Sequence, residues 1–480
     1  MRNKRSYFTA LVVGLALALG VWLIAQSQII TTLDQGDYDR AISPFINGAV
    51  EANYRHWEKP AMEWRLREPL PPLLESTNAA SGYFLLNAYA QGLVRSTFSL
   101  PLLSITSKVL LLGLLALLAR AIGGEMRWGL LIQGLVFALL ATVFFMAHNV
   151  YLLQSFYQEH VFWLGLPLLL FGLLESHRTH SRWSEVWIII GATLCGAAKT
   201  QFFYLPLLVL MVQWANNRWD GKRTKSLVIV GLVIAQGLCT LPLLSNPFRA
   251  LNYYHATYYG SYLAASNQTR AELQIPAQTE GCIGSDRWGV VLTGKNGDER
   301  GKTIPSCFDA IKLNTLDVIR PYLIEPAILW RMWRFAEPAL WTSQPFHNIR
   351  THPYPITPAG LDASGVAYPF PEHHPLLKLS AWRERFATHQ VEAASLLSLA
   401  LIALLLWRRI TGLAFTMLYL VERIWSQIAL ALIGEGYRDL GKHFAAAQLS
   451  YDLLLVWMAL AVLGLVISFL SAPAHRRMTS

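Results

Sequence analysis

Three carboxylates fall within six residues in the stretch TTLDQGDYDRAI: Asp34, Asp37 and Asp39, with Arg40 directly after them. Asp37 and Asp39 are two apart, so in an extended segment they point the same way. A further acid, Glu159, interrupts the apolar and aromatic segment QSFYQEHVFW, where it sits after Tyr157 and Gln158 and before His160. A lone cation, Lys199, stands with Gln201 in GAAKTQFFYLP. Taken singly, each has an ordinary explanation: a solvated loop acid, a polar group at an interface, a lysine snorkelling to headgroup level. Gathered at one place they could do chemistry. A carboxylate can take a proton from a hydroxyl, and an ammonium can stabilise a phosphate that leaves.

The elements that must bring these residues together are membrane spans. Of 480 residues 54% are hydrophobic and only 15% charged, with a mean hydropathy of +0.34; soluble domains average about 25% charged residues. Apolar runs long enough for a bilayer core recur at about 8–28, 101–121, 128–147, 155–174, 185–199, 201–215, 226–245, 391–407, 412–433 and 450–471. The expected fold is therefore an all-α polytopic membrane protein of about ten transmembrane helices. The pair 185–199 and 201–215 is short for two full spans and reads as a hairpin with Lys199 at its tip. The N-terminal run is too long for a signal-peptide core and lacks a small-residue cleavage site, so it reads as an uncleaved first span.

Basic residues set the orientation. Arg2, Lys4 and Arg5, Arg178 and Arg182, Lys222, Arg223 and Lys225, Arg408 and Arg409, and Arg476 and Arg477 all fall on one side of alternating spans, which is then cytoplasmic. The net charge of +10 is a product of this topology. It is not a nucleic-acid footprint, because no soluble domain carries a basic stripe interleaved with aromatics. Three segments lie outside: 29–100, 246–390 and a short one at 434–449. The chain divides into an N-terminal transmembrane module over 1–245, an extracytoplasmic loop domain over 246–390 and C-terminal helices over 391–480. Cys195 and Cys239 lie in apolar runs, whereas Cys282 and Cys307 share the large outer loop and are expected to form a disulfide in an oxidising compartment.

A carboxylate and a cation on the outer face of a helical bundle suit a substrate that is half lipid and half polar. The natural reaction there is transfer of a sugar from a lipid phosphate, with membrane lipid at hand and no nucleotide to be moved. NYYHATYYGSYL, 252–263, offers five tyrosines and His255 for stacking on sugar rings, with Tyr258 and Tyr259 as contacts. Segment 320–341 mixes Arg, Trp and apolar residues, broken by Pro326 and Pro338, and reads as an interfacial amphipathic helix pair. Segment 344–375 holds seven prolines and reads as an irregular loop over the mouth of the site; the spacing of His347, His352, His373 and His374 matches no metal site. Arg438, Lys442 and His443 of the last outer loop are candidates for phosphate oxygens.

QGDYDRAI after the first span, SFYQE at 155–159, AKTQ at 198–201, NYYHATYYGSYL and the stretch GEGYRDLGKHFAAAQLSYD at 434–452 together resemble bacterial membrane glycosyltransferases of the GT-C type, the hexose transferases of surface-glycan biosynthesis in particular. The order and spacing of these patches carry the resemblance. It implies a GT-C-like bundle whose outer loops carry short interfacial helices. It also implies a polyprenyl-phosphate-linked sugar donor, a glycan, lipid or glycoprotein acceptor, inverting catalysis at the extracytoplasmic face of a bacterial inner membrane, and a first-loop acid as general base. By position the base is Asp37, with Asp34 and Asp39 as rivals and Glu159 as a second catalytic acid. Many relatives carry Ser-Glu-Pro where this chain has Gln158-Glu159-His160, which puts the flanking residues' role in question. Arg40, Tyr157, His160, Lys199, Gln201, His255, Tyr258, Tyr259, Arg438, Lys442 and His443 are the expected substrate contacts. The resemblance covers both metal-using and metal-free members, and Asp34, Asp37 and Glu159 could coordinate a divalent ion through oxygen.

Two other classes fit the composition. A polymerase or ligase of lipid-linked oligosaccharides relies on basic outer-loop residues. A lipid or solute transporter more typically shows inverted halves with helices broken near the midplane. No fixed-period repeat, Walker motif or GxGxxG occurs, which excludes an ATP-driven pump and a cytosolic-donor synthase.

Overall fold

The computed structural model describes residues 2–28, 30, 37–50, 61–76, 78–126, 128–179, 181–219, 225–244, 246–292, 304–341, 374–385 and 389–470. Asp34, His347, His352, His373 and most of the proline-rich segment lie outside them. In chain order, α1 (Arg2–Ser27) is followed by the single turn α2 (Asp39–Ile42), strands β1 (Ile46–Ala49) and β2 (Glu63–Leu66), α3 (Ala79–Gly92) and β3 (Thr97–Ser99). Helices α4 (Leu100–Glu125), α5 (Leu130–Phe145), α6 (Ala147–Val150), α7 (Glu159–Thr179), α8 (Arg182–Ala198), α9 (Leu205–Trp219) and α10 (Ser226–Leu244) complete the first part. The outer segment contributes α11 (Arg249–Ala256), α12 (Thr315–Ile324), α13 (Ala327–Ala336) and α14 (Pro375–Ser380). The chain ends with α15 (Gln390–Trp407), α16 (Thr411–Glu435), α17 (Leu440–His443) and α18 (Ala445–Leu470).

Every apolar run read from the sequence is a helix, and the chain is a mainly helical membrane protein. Among the described residues seven helices are long and apolar enough to cross a membrane: α1, α4, α7, α10, α15, α16 and α18. An eighth span arises if α5 and the segment Ala147–Gln154, bent by 68° at Met146, are one element. Helices α8 and α9, with 17 and 15 residues, fall short of a bilayer's ~20. The expected count of about ten is thus narrowed by helix length.

Helix α7 is the hub. In its most apolar window 83% of residues are buried, against 17% in α1. A helix apolar on every side is stable only when surrounded, and α1 leaves most of its surface to lipid. Close packing of α7 on α8 depends on Gly191, where an added Cβ would lie 2.6 Å from the backbone nitrogen of Leu169.

The first outer segment departs from the all-α expectation. Strands β1, β2 and β3 form an antiparallel sheet in that order, with Trp64 opposite Phe98. Trp64 packs at 5.5 Å on Phe156, and Phe98 at 5.3 Å on the same ring. Tyr38 joins them, 5.4 Å from Phe156 and 5.1 Å from Tyr157. The sheet thereby fixes the residue next to Asp37 against the segment that leads into Glu159.

In the large outer segment a capping box starts α12: Asn314 accepts from the backbone of Asp317, whose carboxylate accepts from Asn314 N–H. The break expected at Pro326 separates α12 from α13. Helix α13 buries Ile328, Met332, Trp333 and Ala336 against the bundle. Its arginines turn to the protein: Arg331 pairs with Glu325 at 2.8 Å, and Arg334 pairs with Glu337. Leu316, Ile319, Leu323 and Trp330 of the same two helices stay exposed.

Candidate functional site

Several helix ends meet at one end of the bundle: the C-termini of α8 and α16, the N-terminus of α7, and the single turns α2 and α17. Two lysine–carboxylate pairs stand there side by side. Lys442 Nζ pairs with Asp37 Oδ2, and Arg40 Nη2 lies 3.2 Å from Asp37 Oδ1. Lys199 Nζ donates to Glu159 Oε1 at 2.6 Å. The pairs are joined through consecutive residues, because His443, next to Lys442, places Nδ1 3.4 Å from Lys199 Nζ. Gln201 Nε2 lies 2.8 Å from the same Nδ1. On the other edge of the ring, Nε2 is 2.7 Å from Glu435 Oε2, an ion-pair distance off the line of a good hydrogen bond. Asp37, Glu159, Lys199, Lys442 and His443 are all buried. Burial pushes the His443 imidazole below its usual range, opposed by Glu435 and reinforced by Lys199.

Local sequence explains each placement. Lys199 caps α8 in extended backbone (φ −147°, ψ 149°), so the chain breaks and turns through Thr200–Phe202 into α9. Glu159 begins α7, where the helix dipole favours a carboxylate. The last outer loop is held at Gly436, with φ +60°, where any Cβ would lie 2.4 Å from the carbonyl oxygen of His255. Next to it, Tyr437 N–H donates to the Tyr259 carbonyl at 3.1 Å, and Arg438 Nη1 donates to Asp286 Oδ2 at 2.6 Å. From the bundle side Gln427 Nε2 donates to the His443 carbonyl at 2.9 Å.

A cavity of about 500 Å³ opens beside the pairs, lined by Arg40, Lys199, Glu435, Gln158 and Asn252 among others. A second cavity, of about 560 Å³, lies between α1, α4 and α5. It has nearly apolar walls and no carboxylate, so the chemistry lies with the first.

The structure brings together Asp37, Arg40, Tyr157, Glu159, Lys199, Gln201, Lys442 and His443, with the Lys442 ammonium 5.6 Å from the Tyr157 ring centroid. Asp39 is exposed at the cavity rim. Five further expected substrate contacts, His160, Tyr258, His255, Tyr259 and Arg438, are engaged with other parts of the protein. His160 turns away to Ser107 Oγ at 2.8 Å and the Ser155 carbonyl at 3.2 Å, among Tyr83 and Phe84. Tyr258 bonds Thr279 at 2.9 Å in a satellite core with Tyr254, Tyr262 and Cys282; burial raises its phenol, keeping it neutral. His255 Nε2 accepts from Arg287 N–H at 3.3 Å, and Tyr259 is fully buried. Arg438 is held by Asp286 and lies 4.4 Å over Trp288, so it positions the loop. The expected disulfide joins Cys282 to Cys307. Glu435, Tyr38, Asn252 and Asp286 were not anticipated. Glu435 alone left a signal, as an acid at the end of an apolar run.

Among the described residues no three His, Cys, Asp or Glu side chains gather as a metal site, and Asp37 and Glu159 each face a lysine instead of one another.

No family model matches this chain, and no solved structure matches it. It is similar to an uncharacterized protein, YfdI of Escherichia coli (strain K12), at 24% identity over 466 residues, covering 93% of this chain and 94% of that protein. The likeness runs nearly the whole length of both and brings no activity with it.

Proposed function

We propose that this protein is a GT-C-type glycosyltransferase of a bacterial inner membrane. In this reading it moves a sugar from a polyprenyl-phosphate-linked donor to a glycan, lipid or protein acceptor at the extracytoplasmic face. The observation that carries the reading is the pairing of Asp37 with Lys442 and of Glu159 with Lys199 beside one cavity at one end of the bundle. Polar groups that lined a path through the bundle would favour a transporter; these converge on a pocket.

The resting ion pairs explain how the site stays neutral without substrate. When a donor phosphate arrives, Lys442 and Lys199 turn to its oxygens, and the Asp37 carboxylate is freed for the acceptor. Asp37 takes the acceptor hydroxyl's proton as that oxygen bonds to the anomeric carbon of the sugar. The bond from the anomeric carbon to the phosphate oxygen breaks with inversion, and its electron pair leaves on the polyprenyl phosphate, stabilised by the lysines. Glu159 holds Lys199 in place, and Gln201 and Glu435 fix the His443 ring between the two lysines.

The test compares surface glycans of cells carrying wild type, Asp37→Asn or a deletion of the gene, with membrane levels of each variant measured. Loss of one sugar in both mutants, with Asp37→Asn inserted normally, is the expected result. Unchanged glycans in the deletion strain would sink the transferase reading; loss in the deletion strain alone would remove Asp37 as the base.

A further inference from the structure

The cavity beside the ion pairs contains amide side chains with unequal duties. Asn78 uses its carbonyl to cap α3, accepting from Ser81 N–H at 2.9 Å. Asn246 accepts from Phe248 N–H at 2.9 Å. Gln158 and Asn252 also line the cavity, both only partly buried, and neither side chain has a hydrogen-bond partner among the described residues. They come from distant elements: Gln158 directly precedes α7, and Asn252 lies on α11. Between them the wall is apolar, built from Pro242, Pro247 and Phe248.

We infer that this cavity is the subsite for the transferred sugar, and that Gln158 and Asn252 read its hydroxyl groups. The inference rests on the glycosyl-transfer reading and adds which residues select the sugar. A primary amide offers two N–H donors and a carbonyl acceptor, matching a hydroxyl that must both give and accept. Two such amides on separate elements fix two points of a ring and so distinguish epimers. The apolar wall suits the C–H face of that ring. Arg40 and Lys199 lie on the same lining, where the sugar's phosphate would sit. The volume, about 500 Å³, falls within the ~300–1,000 Å³ typical of small-molecule sites.

The test uses full-length protein in lipid nanodiscs and citronellyl phosphates carrying glucose, galactose or mannose, with bare citronellyl phosphate as reference. Binding is measured by saturation-transfer NMR competition in wild type, Gln158→Ala and Asn252→Ala, with Gln158→Met and Asn252→Leu keeping the side-chain volume should the smaller residues unfold the protein. Wild type is expected to prefer one hexose over the other two and over the bare phosphate. Each variant should weaken that hexose about three- to tenfold, the worth of one neutral hydrogen bond, and leave the bare phosphate unchanged. Variants that bind the hexose as wild type does, or a sugar that adds nothing to bare-phosphate binding, overturn the inference. Transfer is read in the same samples. Sugar-dependent binding lost in the variants, with no transfer by wild type to any glycan acceptor, leaves the subsite standing and removes the transferase reading.

Discussion

Asp37 and Asp452 are both buried carboxylates held by a cation, yet their surroundings differ in one respect. Asp452, on α18, pairs through Oδ1 with Arg383, while Oδ2 meets His148 Nε2 at 2.8 Å and Asn149 Nδ2 at 3.2 Å. Arg383 also donates to the Leu340 carbonyl at 2.6 Å. None of Asp452, Arg383 or His148 is more than 2% exposed, and none lines the cavity described above. That network ties the segment after α14 to the last helix. The Asp37 cluster has the same ingredients, but three of its members, Arg40, Lys199 and Glu435, line the cavity, and Asp37 adjoins it through Arg40. Burial with a partner therefore marks a clamp as readily as a catalytic group, and the adjoining cavity separates the two.

The comparison can be broken most sharply at Asp37. Asp37→Asn should lower sugar transfer by about 100- to 10,000-fold, the usual worth of a general base, while thermal unfolding in detergent hardly moves. A comparable drop in thermal stability would make Asp37 a second clamp. Arg383→Ala should do the reverse. It leaves Asp452 buried without its cation at a cost of about 3–5 kcal/mol, seen as loss of folded protein in the membrane; full retention of stability would show the network to be idle.

Removing the disulfide with Cys282→Ser and Cys307→Ser tests whether the site depends on the outer segment. The chain-entropy model gives about 3 kcal/mol for such a loop. The 254–292 region should loosen, Arg438 should lose the Asp286 that holds it, and KM should rise more than kcat falls. An unchanged KM would show the last outer loop to be held from the bundle alone.

The smallest effect concerns pH. Burial depresses His443 in the folded state, so the folded protein binds fewer protons there than the unfolded chain. Stability from this group is complete above the ordinary histidine value of about 6.5. It declines as pH falls below that value, by at most about 1.4 kcal/mol per unit. His443→Gln should flatten that slope between pH 7 and pH 5; an identical slope would assign it to another group.

The bundle was legible because long apolar runs have few alternatives to helix. The short strands β1 and β2 were not: INGA and EWRL are four residues each, and although EWRL alternates polar and apolar residues, so short a run does not mark a strand. Asp37, Glu159 and Lys199 were found because an ionisable group beside a span is costly and calls for a reason. The directions of His160 and Tyr258 were not legible, because a helix face cannot be assigned from a polar residue alone: one points to Ser107, the other to Thr279. Asp452 was silent, as its partners Arg383 and His148 lie 69 and 304 residues away.

The Asp37–Lys442 pair spans 405 residues of chain. During synthesis the acid emerges with the first helix and waits for its cation until all but the last span has been made. Until then Asp37 lacks Lys442, and the Glu159–Lys199 pair lacks His443. A chain cut short before residue 440 would keep the earlier helices yet leave the cluster open, so the site closes as one of the final acts of assembly.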